Sequence, residues 1–319
     1  MVGEGEDVWT DADDQQRFVE AGPVLELAGT WTLDRFSRHL ERIGLFSDAP
    51  SAVAVGFRRW GFEAAALDLA LRQSGRSLFA QLGRRPSPVR WVLSIRLAGP
   101  DAPSTVGPLR DRLIRYPDLH FKLDPIGDWD DSLITEIREL AGDRVDVLDF
   151  KAHYHGTSVD VVPDPALYAR CLSAWPRAIV EDPGTVPELA EVLADSWDRV
   201  SWDAPIHSID DVIALDRAPR VLNIKPARFG SLRELCAAYD YCDAHGIVMY
   251  GGGFFELGPG RGQLQYLASV FHPDGPNDVA PRGFHGTGVP DGMPGSPLPV
   301  AADTVGFAWH DPTTPLPAP

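Results

Sequence analysis

The chain has 319 residues, of which 44% are hydrophobic and 24% charged, a mixture that excludes disordered and fibrous proteins and supports a large core. Its 29 basic and 46 acidic residues give a net charge of −17, which argues against nucleic-acid and anionic-membrane partners because such ligands bind clustered Lys and Arg. No run reaches the roughly 18 apolar residues of a membrane helix, and the acidic first residues do not resemble a secretory signal. We therefore expect a cytoplasmic protein.

The first 58 residues are acidic and irregular, except for an amphipathic stretch that predicts a helix over 33–43. They contain too few β-branched runs for an independent domain of ordinary size, so we expect them to form a cap on the domain that follows. A second helix is predicted over 60–73, where apolar and small residues share one stripe.

From residue 89 onward, short β-branched runs alternate with longer amphipathic stretches. The runs lie at 89–97, 119–124, 145–151, 178–181, 199–203, 221–225 and 247–250. The stretches between them lie at 106–116, 132–141, 164–175, 186–196, 209–215 and 231–245. A strand followed by a helix, repeated six times, is typical of a parallel α/β sheet. The last segment, 281–319, is rich in Gly and Pro, and we expect it either to pack on the cap or to be flexible.

Charged residues end each predicted strand from the second to the sixth: Lys122 and Asp124, Asp149 and Lys151, Glu181, Asp203, and Lys225. In a closed barrel the carboxyl ends of all strands meet at one mouth, whereas an open sheet spreads them along an edge. Because such residues recur once per strand–helix unit, the pattern favours a barrel over 59–280.

Three of these strand-end residues are carboxylates, which suit a hard divalent cation such as Mg²⁺. Without a cation or basic neighbours, Asp149, Glu181 and Asp203 would repel one another strongly. Lys122 and Lys225 flank them from the second and sixth strands. A lysine held there can act as a base or stabilise negative charge that develops on a substrate.

Several motifs together resemble those of a known family. They are 64–70 ahead of 78–83, the three strand-end acids, Val180–Pro183, Asn223–Pro226 leading to Arg228 and Gly230, and a Gly-rich strand followed by Glu256. With them, residues 60 to about 280 resemble the enolase superfamily, in its mandelate racemase, muconate cycloisomerase and o-succinylbenzoate synthase branch. Residues 3–18 also resemble the end of the first β-hairpin in that family's cap. The resemblance implies an α/β fold, a (β/α)7β TIM-like barrel with a reduced N-terminal α+β capping region.

The resemblance also implies an enzyme that removes the proton α to a carboxylate and then eliminates, isomerises or cyclises its substrate. It implies one divalent cation, Mg²⁺ or else Mn²⁺, held by Asp149, Glu181 and Asp203. The catalytic groups it implies are Lys122, Asp124 and Lys225. The residues expected to bind the substrate are Lys151, His153, Asn223, Arg228 and Glu256. The expected partner is a small carboxylate, with no nucleic acid and no membrane, and a homo-oligomer stays open.

Two positions depart from the family pattern. The family usually has Lys-x-Lys on the second strand, and this chain has Lys122-Leu-Asp124, so a carboxylate stands at the base position. On the third strand Lys151 stands where the family usually has Asn. These changes look like a charge swap between neighbouring strands. With Lys225 retained and the opposite lysine lost, a one-face reaction such as β-elimination is favoured over a two-base racemisation.

Two other interpretations stay open. His153 and His155 form a His-x-His pair at a strand end, which is a zinc pattern in metal-dependent hydrolases, although later strands offer only His207 as a further ligand. The altered strand pairs and the short cap also fit a non-catalytic or metal-free barrel protein that has lost the ancestral reaction.

Overall fold

The computed structural model describes most of the chain between residues 25 and 300. The described residues are 1–5, 7–8, 17, 20–22, 25–45, 52–99, 102–254, 256–286, 288–300, 305–307 and 309. Most of the hairpin predicted over 3–18, and most of the tail beyond 300, lie outside them. Every helix within these ranges is too short or too polar to cross a bilayer.

Three helices precede the sheet: α1 (Leu33–Leu40), α2 (Ala52–Ser74) and α3 (Leu78–Leu82). The hydroxyl of Thr32 accepts the backbone N–H of Arg35 and so fixes the start of α1. The helix predicted from residue 60 begins at Ala52 instead. Its first turns are held by tertiary contacts, among them Phe57 against Phe254, with ring centroids 4.8 Å apart.

A five-stranded parallel sheet runs in chain order, as the alternating pattern predicts. Its strands are β2 (Leu93–Ile95), β3 (Phe121–Leu123), β4 (Val145–Asp149), β5 (Ile179–Glu181) and β6 (Val200–Ser201). A second parallel pair joins β7 (Val221–Ile224) to β8 (Val248–Gly251). A short antiparallel pair joins β1 (Asp7–Val8) to β9 (Glu256–Leu257). The α/β class with a parallel sheet is thereby confirmed.

Helices alternate with these strands. They are α4 (Gly107–Leu113), α5 (Asp131–Ala141), α6 (Pro165–Ala174), α7 (Ile209–Ile213), α8 (Pro226–Phe229), α9 (Leu232–His245) and α10 (Gly260–Phe271). The α-helix predicted over 186–196 is absent from this described stretch, which instead has a 3₁₀ turn at Pro187–Leu189 and irregular turns. Most of its backbone hydrogen bonds span three residues, such as Ala190 N to the carbonyl of Pro187, so no α-helical ladder develops.

Single backbone bridges connect the two parallel sheets. The N–H of Asn223 on β7 donates to the carbonyl of Trp202, just after β6, at 3.3 Å. On the other side Asn277 and Asp278 lie between β8 and β2. The N–H of Val92 donates to the carbonyl of Asn277 at 2.9 Å, and the N–H of Asp278 donates to the carbonyl of Gly251 at 2.8 Å.

Close backbone packing places the α8 turn, which carries Arg228 into the site. A Cβ added at Gly230, where φ is +68°, would lie 3.0 Å from the Cα of Gly56 on α2. Only glycine supplies both the left-handed conformation and the space for this approach.

The described part of the C-terminal segment packs against the domain. Leu298 pairs with Val89 through two backbone hydrogen bonds of 2.8 and 2.9 Å, and the N–H of Phe307 donates to Asp68 on α2 at 2.7 Å. The ring of Phe284 packs against that of Trp91 at an angle of 48°, with ring centroids 5.1 Å apart.

We predict that Asn277→Ala destabilises the protein by about 3 kcal/mol, measured by urea unfolding. The side chain is fully buried, and its oxygen accepts the N–H of Gly251 at 2.6 Å while its amide donates to the carbonyl of Arg90 at 2.8 Å. Truncation leaves both backbone groups without a partner. The exposed Asp243→Ala change serves as a control and should alter stability by less than about 0.5 kcal/mol. Equal effects of the two changes would contradict this role.

Candidate active site

Three carboxylates lie at the carboxyl ends of adjacent strands, where parallel strands bring their ends together. Asp149 ends β4, Glu181 ends β5, and Asp203 follows β6. All three side chains are fully buried. We call these three residues the carboxylate cluster. Burial of unpaired carboxylates is very costly, so their partners decide what the cluster can do.

Lys122 lies between two members of the cluster. Its Nζ is 2.5 Å from Glu181 Oε1 and 3.0 Å from Asp149 Oδ2. Burial lowers the pKa of Lys122, but the two carboxylates raise it more, so the pKa lies well above its usual range. Lys122 is therefore a buried ammonium ion.

Asp203 is held by two cations and a phenol. Its carboxylate accepts Lys225 Nζ at 2.7 Å and Arg228 Nε at 2.9 Å. The hydroxyl of Tyr154 donates to the same carboxylate at 2.9 Å. Although burial raises the pKa of Asp203, Arg228 and Lys225 hold it well below its usual range. Asp203 is ionised throughout the physiological pH range.

Neutral donors complete the shell of Glu181. Asn223 Nδ2 donates to Oε1 at 3.1 Å, and the hydroxyl of Tyr250 donates to Oε2 at 2.5 Å. The same hydroxyl lies 3.1 Å from Ser201 Oγ. Two residues predicted from sequence, Asn223 and Arg228, thus contact the cluster directly and lie outside the cavity above it.

Lys151 contacts Asp149, the last residue of the strand that precedes it. Its backbone N–H donates to Asp149 Oδ1 at 3.2 Å, and its Nζ contacts Asp149 Oδ2. The backbone φ of Lys151 is +50°, an uncommon value for a residue with a side chain. Nζ also lies 3.7 Å from Asp124 Oδ1. The two residues that depart from the family pattern are therefore paired with each other.

Asp182 binds the backbone of the segment that carries Asp203. Its φ is +47°, and its carboxyl oxygens accept the backbone N–H groups of Asp203 and Ala204 at 2.8 and 2.9 Å. Burial, together with the nearby carboxylates, raises the pKa of Asp182 to about 8, so it is mostly protonated at neutral pH.

A cavity of about 610 Å³ opens above the cluster. Of the residues predicted from sequence, it is lined by Lys122, Asp124, Lys151, Lys225 and Glu256. Residues that the sequence argument missed also line it, among them Arg96, Tyr154, Phe254, Asp278, Arg282 and His285. Arg96 could have been predicted, because it lies at the end of the first predicted strand. Charged strand-end residues were considered only from the second strand onward.

Asp124 and Lys225 are two of the titratable residues that line this cavity. Asp124 Oδ1 is buried and accepts no hydrogen bond from the described residues. Burial raises the pKa of Asp124 to about 6, against the opposing effect of Lys151. Lys225 Nζ lies 4.3 Å above the ring of Phe254. A Cβ at Gly252 would lie 2.6 Å from Lys225 Cε, so glycine leaves the room that this lysine occupies.

Glu256 lines this cavity, whereas the histidines that the sequence singled out lie away from it. Glu256 pairs with Arg261 at 2.8 Å. His153 Nε2 lies 2.9 Å from the carbonyl of Pro183 and lines a separate cavity of about 280 Å³. His155 is largely exposed and lies 3.5 Å from Asp160. The rings of His153 and His155 are 6.4 Å apart, so this pair does not converge as zinc ligands do.

The donor set around the cluster does not fit a divalent cation. Each of the six oxygens of the cluster already accepts a hydrogen bond or ion pair. Its three negative charges face four cations, Lys122, Lys151, Lys225 and Arg228. Within the ranges that the structure describes, no group of three or more His, Cys, Asp or Glu side chains is arranged to hold a metal.

Comparison with known proteins identifies the family. Residues 85–286 match the model "Domain of unknown function (DUF8230) C-terminal domain", and residues 1–81 match the corresponding N-terminal domain. The chain is 32% identical to an N-succinylamino acid racemase from an Amycolatopsis species, over 75% of this chain and 65% of that protein. It is 27% identical to an o-succinylbenzoate synthase from Geobacillus stearothermophilus, over 68% of this chain and 57% of that protein.

Solved structures show the same fold. A member of the enolase superfamily from Listeria innocua matches with a TM-score of 0.62 and 18% identity, over 84% of this chain and 69% of that one. A dipeptide epimerase from Methylococcus capsulatus, complexed with a Mg ion, matches with a TM-score of 0.55 and 19% identity, over 76% and 68%. The chain belongs to the DUF8230 family and, with these relatives, to the mandelate racemase, muconate cycloisomerase and o-succinylbenzoate synthase branch of the enolase superfamily. It spans about two thirds or less of the length of the curated relatives that it matches.

We predict that Asp182→Ala destabilises the protein by about 2 kcal/mol in urea unfolding, because two buried N–H groups lose their acceptor and Ala disfavours a positive φ. Asp182→Asn keeps one acceptor oxygen and tolerates that φ, so its loss should be about half as large. An alanine variant as stable as the wild type would show that the carboxyl does not anchor Asp203.

Proposed function

We propose that this chain is an enolase-superfamily lyase or isomerase that removes the proton α to the carboxylate of a small acid. The observation that carries the proposal is the cavity, which presents Asp124 from the end of β3 and Lys225 from the end of β7. One group is a carboxyl whose pKa is about 6, and the other is a lysine paired with an ionised carboxylate. A carboxyl and an amine that face one cavity are suited to general acid–base catalysis.

We also propose that the two parallel sheets close into a (β/α)7β barrel formed by residues 59–280. The support is the pair of backbone bridges at Trp202–Asn223 and at Asn277–Asp278, which join the edges of the two sheets on both sides. In such a barrel, β3 and β7 face each other across the mouth. Residues 1–58 are then assigned to the cap, and the described part of 281–319 packs on the barrel and on α2.

The proposed reaction begins when ionised Asp124 takes the α-proton of the substrate. The electron pair of the broken C–H bond moves toward the substrate carboxylate, and the ammonium groups of Lys151 and Lys122 stabilise the negative charge on its oxygens. The ammonium of Lys225 then gives a proton from the opposite side, either to a leaving group or to carbon. The first outcome is elimination, and the second is isomerisation.

Arg96 is suited to anchor the substrate's carboxylate or a second anionic group. It lines the cavity and is only partly buried, and within the described residues it forms no hydrogen bond or close ion pair, although its charge lowers the pKa of Asp124. Arg282, by contrast, already donates to the backbone carbonyls of Glu256 and Gly258 at 3.0 and 2.9 Å. A free guanidinium at the cavity wall binds carboxylates in a two-point geometry.

The remaining support for the predicted Mg²⁺ site comes from related proteins. A related epimerase structure contains a Mg ion, but here the cluster's oxygens are occupied by cations of the chain itself. We therefore assign no step of the reaction to a metal.

The direct test is exchange of deuterium from D₂O into the α-position of small acids, followed by NMR. The panel contains N-succinylamino acids, dipeptides, acid sugars and hydroxy acids. We expect the wild type to exchange at least one of them and Asp124→Asn to exchange it about 10²–10⁴ times more slowly, because the amide cannot accept the proton. Lys225→Met keeps the apolar stem over Phe254, and we expect it to retain exchange but to lose product formation.

Exchange that survives in Asp124→Asn but disappears in Lys225→Met would reverse the assigned roles. Complete absence of exchange with every acid would favour the alternative of a non-catalytic barrel. Gly252→Ala tests placement, because it keeps both groups while its Cβ would lie 2.6 Å from Lys225 Cε and 2.7 Å from Asn223 Oδ1, so that these side chains must shift.

We predict that the exchange rate rises with pH through about 6 and then levels off. Asp124 is protonated below its raised pKa and cannot accept a proton, whereas above that pKa it is an ionised base. Rates measured from about pH 4.5 to 8 check this profile. A rate that stays flat from about pH 5 to 7 would exclude Asp124 as the base.

A further inference from the structure

We infer that the Lys151 ammonium is a tethered cation that takes the place of a bound metal ion and binds the oxygens of an anionic substrate. The inference deepens the proposed function, on which it rests for the identity of the anion as a carboxylate. The claim that the Lys151 ammonium occupies a cation position is tested without turnover.

The first observation is how Lys151 is attached. Its backbone N–H and its Nζ contact the two different oxygens of one carboxylate, that of Asp149. This closed arrangement depends on the left-handed backbone at Lys151, with φ +50°. Backbone conformations of this kind persist where the surrounding structure holds them, and they concentrate at functional sites.

The second observation is exposure. Of the three lysines that contact the cluster, Lys122 exposes 2% of its side chain and Lys225 exposes 6%, whereas Lys151 exposes 15%. Lys151 therefore contacts the fully buried carboxylate of Asp149 and also lines the cavity. Its Nζ lies 5.2 Å from the ring centroid of Tyr154 and 3.7 Å from Asp124, which hold the ammonium from two further sides.

The third observation is the charge balance. Asp149 contacts two ammonium groups, those of Lys122 and Lys151. Glu181 and Asp124 share these two ammonium groups, but the cavity lining as a whole has six Lys and Arg side chains against three Asp and Glu side chains. Such an excess of positive charge attracts a substrate anion as a divalent ion would. A metal ion added to this set would have to displace one of the two ammonium groups.

The test compares thermal unfolding of the full chain with EDTA and with about 10 mM MgCl₂. We expect the midpoint of the wild type to be unchanged, because each oxygen of the carboxylate cluster already accepts a hydrogen bond or ion pair. Lys151→Asn removes the ammonium and places a neutral oxygen ligand beside Asp149, and we expect Mg²⁺ to raise its midpoint by about 3 °C. Lys151→Met frees the same carboxylate oxygen without adding a ligand, and we expect a smaller rise.

Isothermal titration with MgCl₂ gives the second readout, and circular dichroism shows whether each variant is folded. If Lys151→Asn does not fold, Lys151→Met decides. Saturable Mg²⁺ binding by the wild type would overturn the inference. So would folded variants that bind no Mg²⁺, because the ammonium would then not occupy a cation position. Neither result decides the proposed function, which is tested separately by the exchange assay with Asp124→Asn.

Discussion

The structure depends on the burial of three carboxylates at adjoining strand ends. Asp149, Glu181 and Asp203 have no access to water, and carboxylates in that position destabilise a fold unless cations and hydrogen-bond donors surround them. Much of the surrounding chain is arranged to supply those donors. Asn223 and Tyr250 donate to Glu181 from β7 and β8, so the two parallel sheets meet at this cluster.

The same requirement explains the irregular backbone near the cluster. A left-handed residue follows two of the strands, Lys151 after β4 and Asp182 after β5. At both places the turn directs polar groups back to a buried acid or to the peptide that carries one. The glycine contact between Gly56 and Gly230 acts at longer range, because it seats the α8 turn from which Arg228 reaches Asp203. The hydrogen bonds and ion pairs at the cluster thus offset the backbone strain at Lys151 and Asp182.

The sequence predicts the order of strands and helices well, because β-branched runs and amphipathic stretches alternate with the period of each element. The side-chain period of two also places Lys122 and Asp124 on one face, and both line the cavity. Pairing across strands is not predictable in this way. Nothing local shows that Arg228 and Lys225 share Asp203, or that Lys151 turns back on Asp149. The failure over 186–196 has a similar origin, since helical periodicity does not reveal that the chain adopts turns there.

The paired departures at Asp124 and Lys151 change the chemistry that the cavity supports. Because the two side chains approach to 3.7 Å, the swap preserves local charge while it replaces an amine by a carboxyl at the edge of the cavity. A carboxylate whose pKa is about 6 is a weaker base than a neutral amine, so it removes an α-proton only if the resulting negative charge is strongly stabilised. The concentration of ammonium and guanidinium groups around the cavity meets that requirement. A weaker base and a stronger set of fixed cations are therefore two parts of one arrangement, in which each makes the other effective.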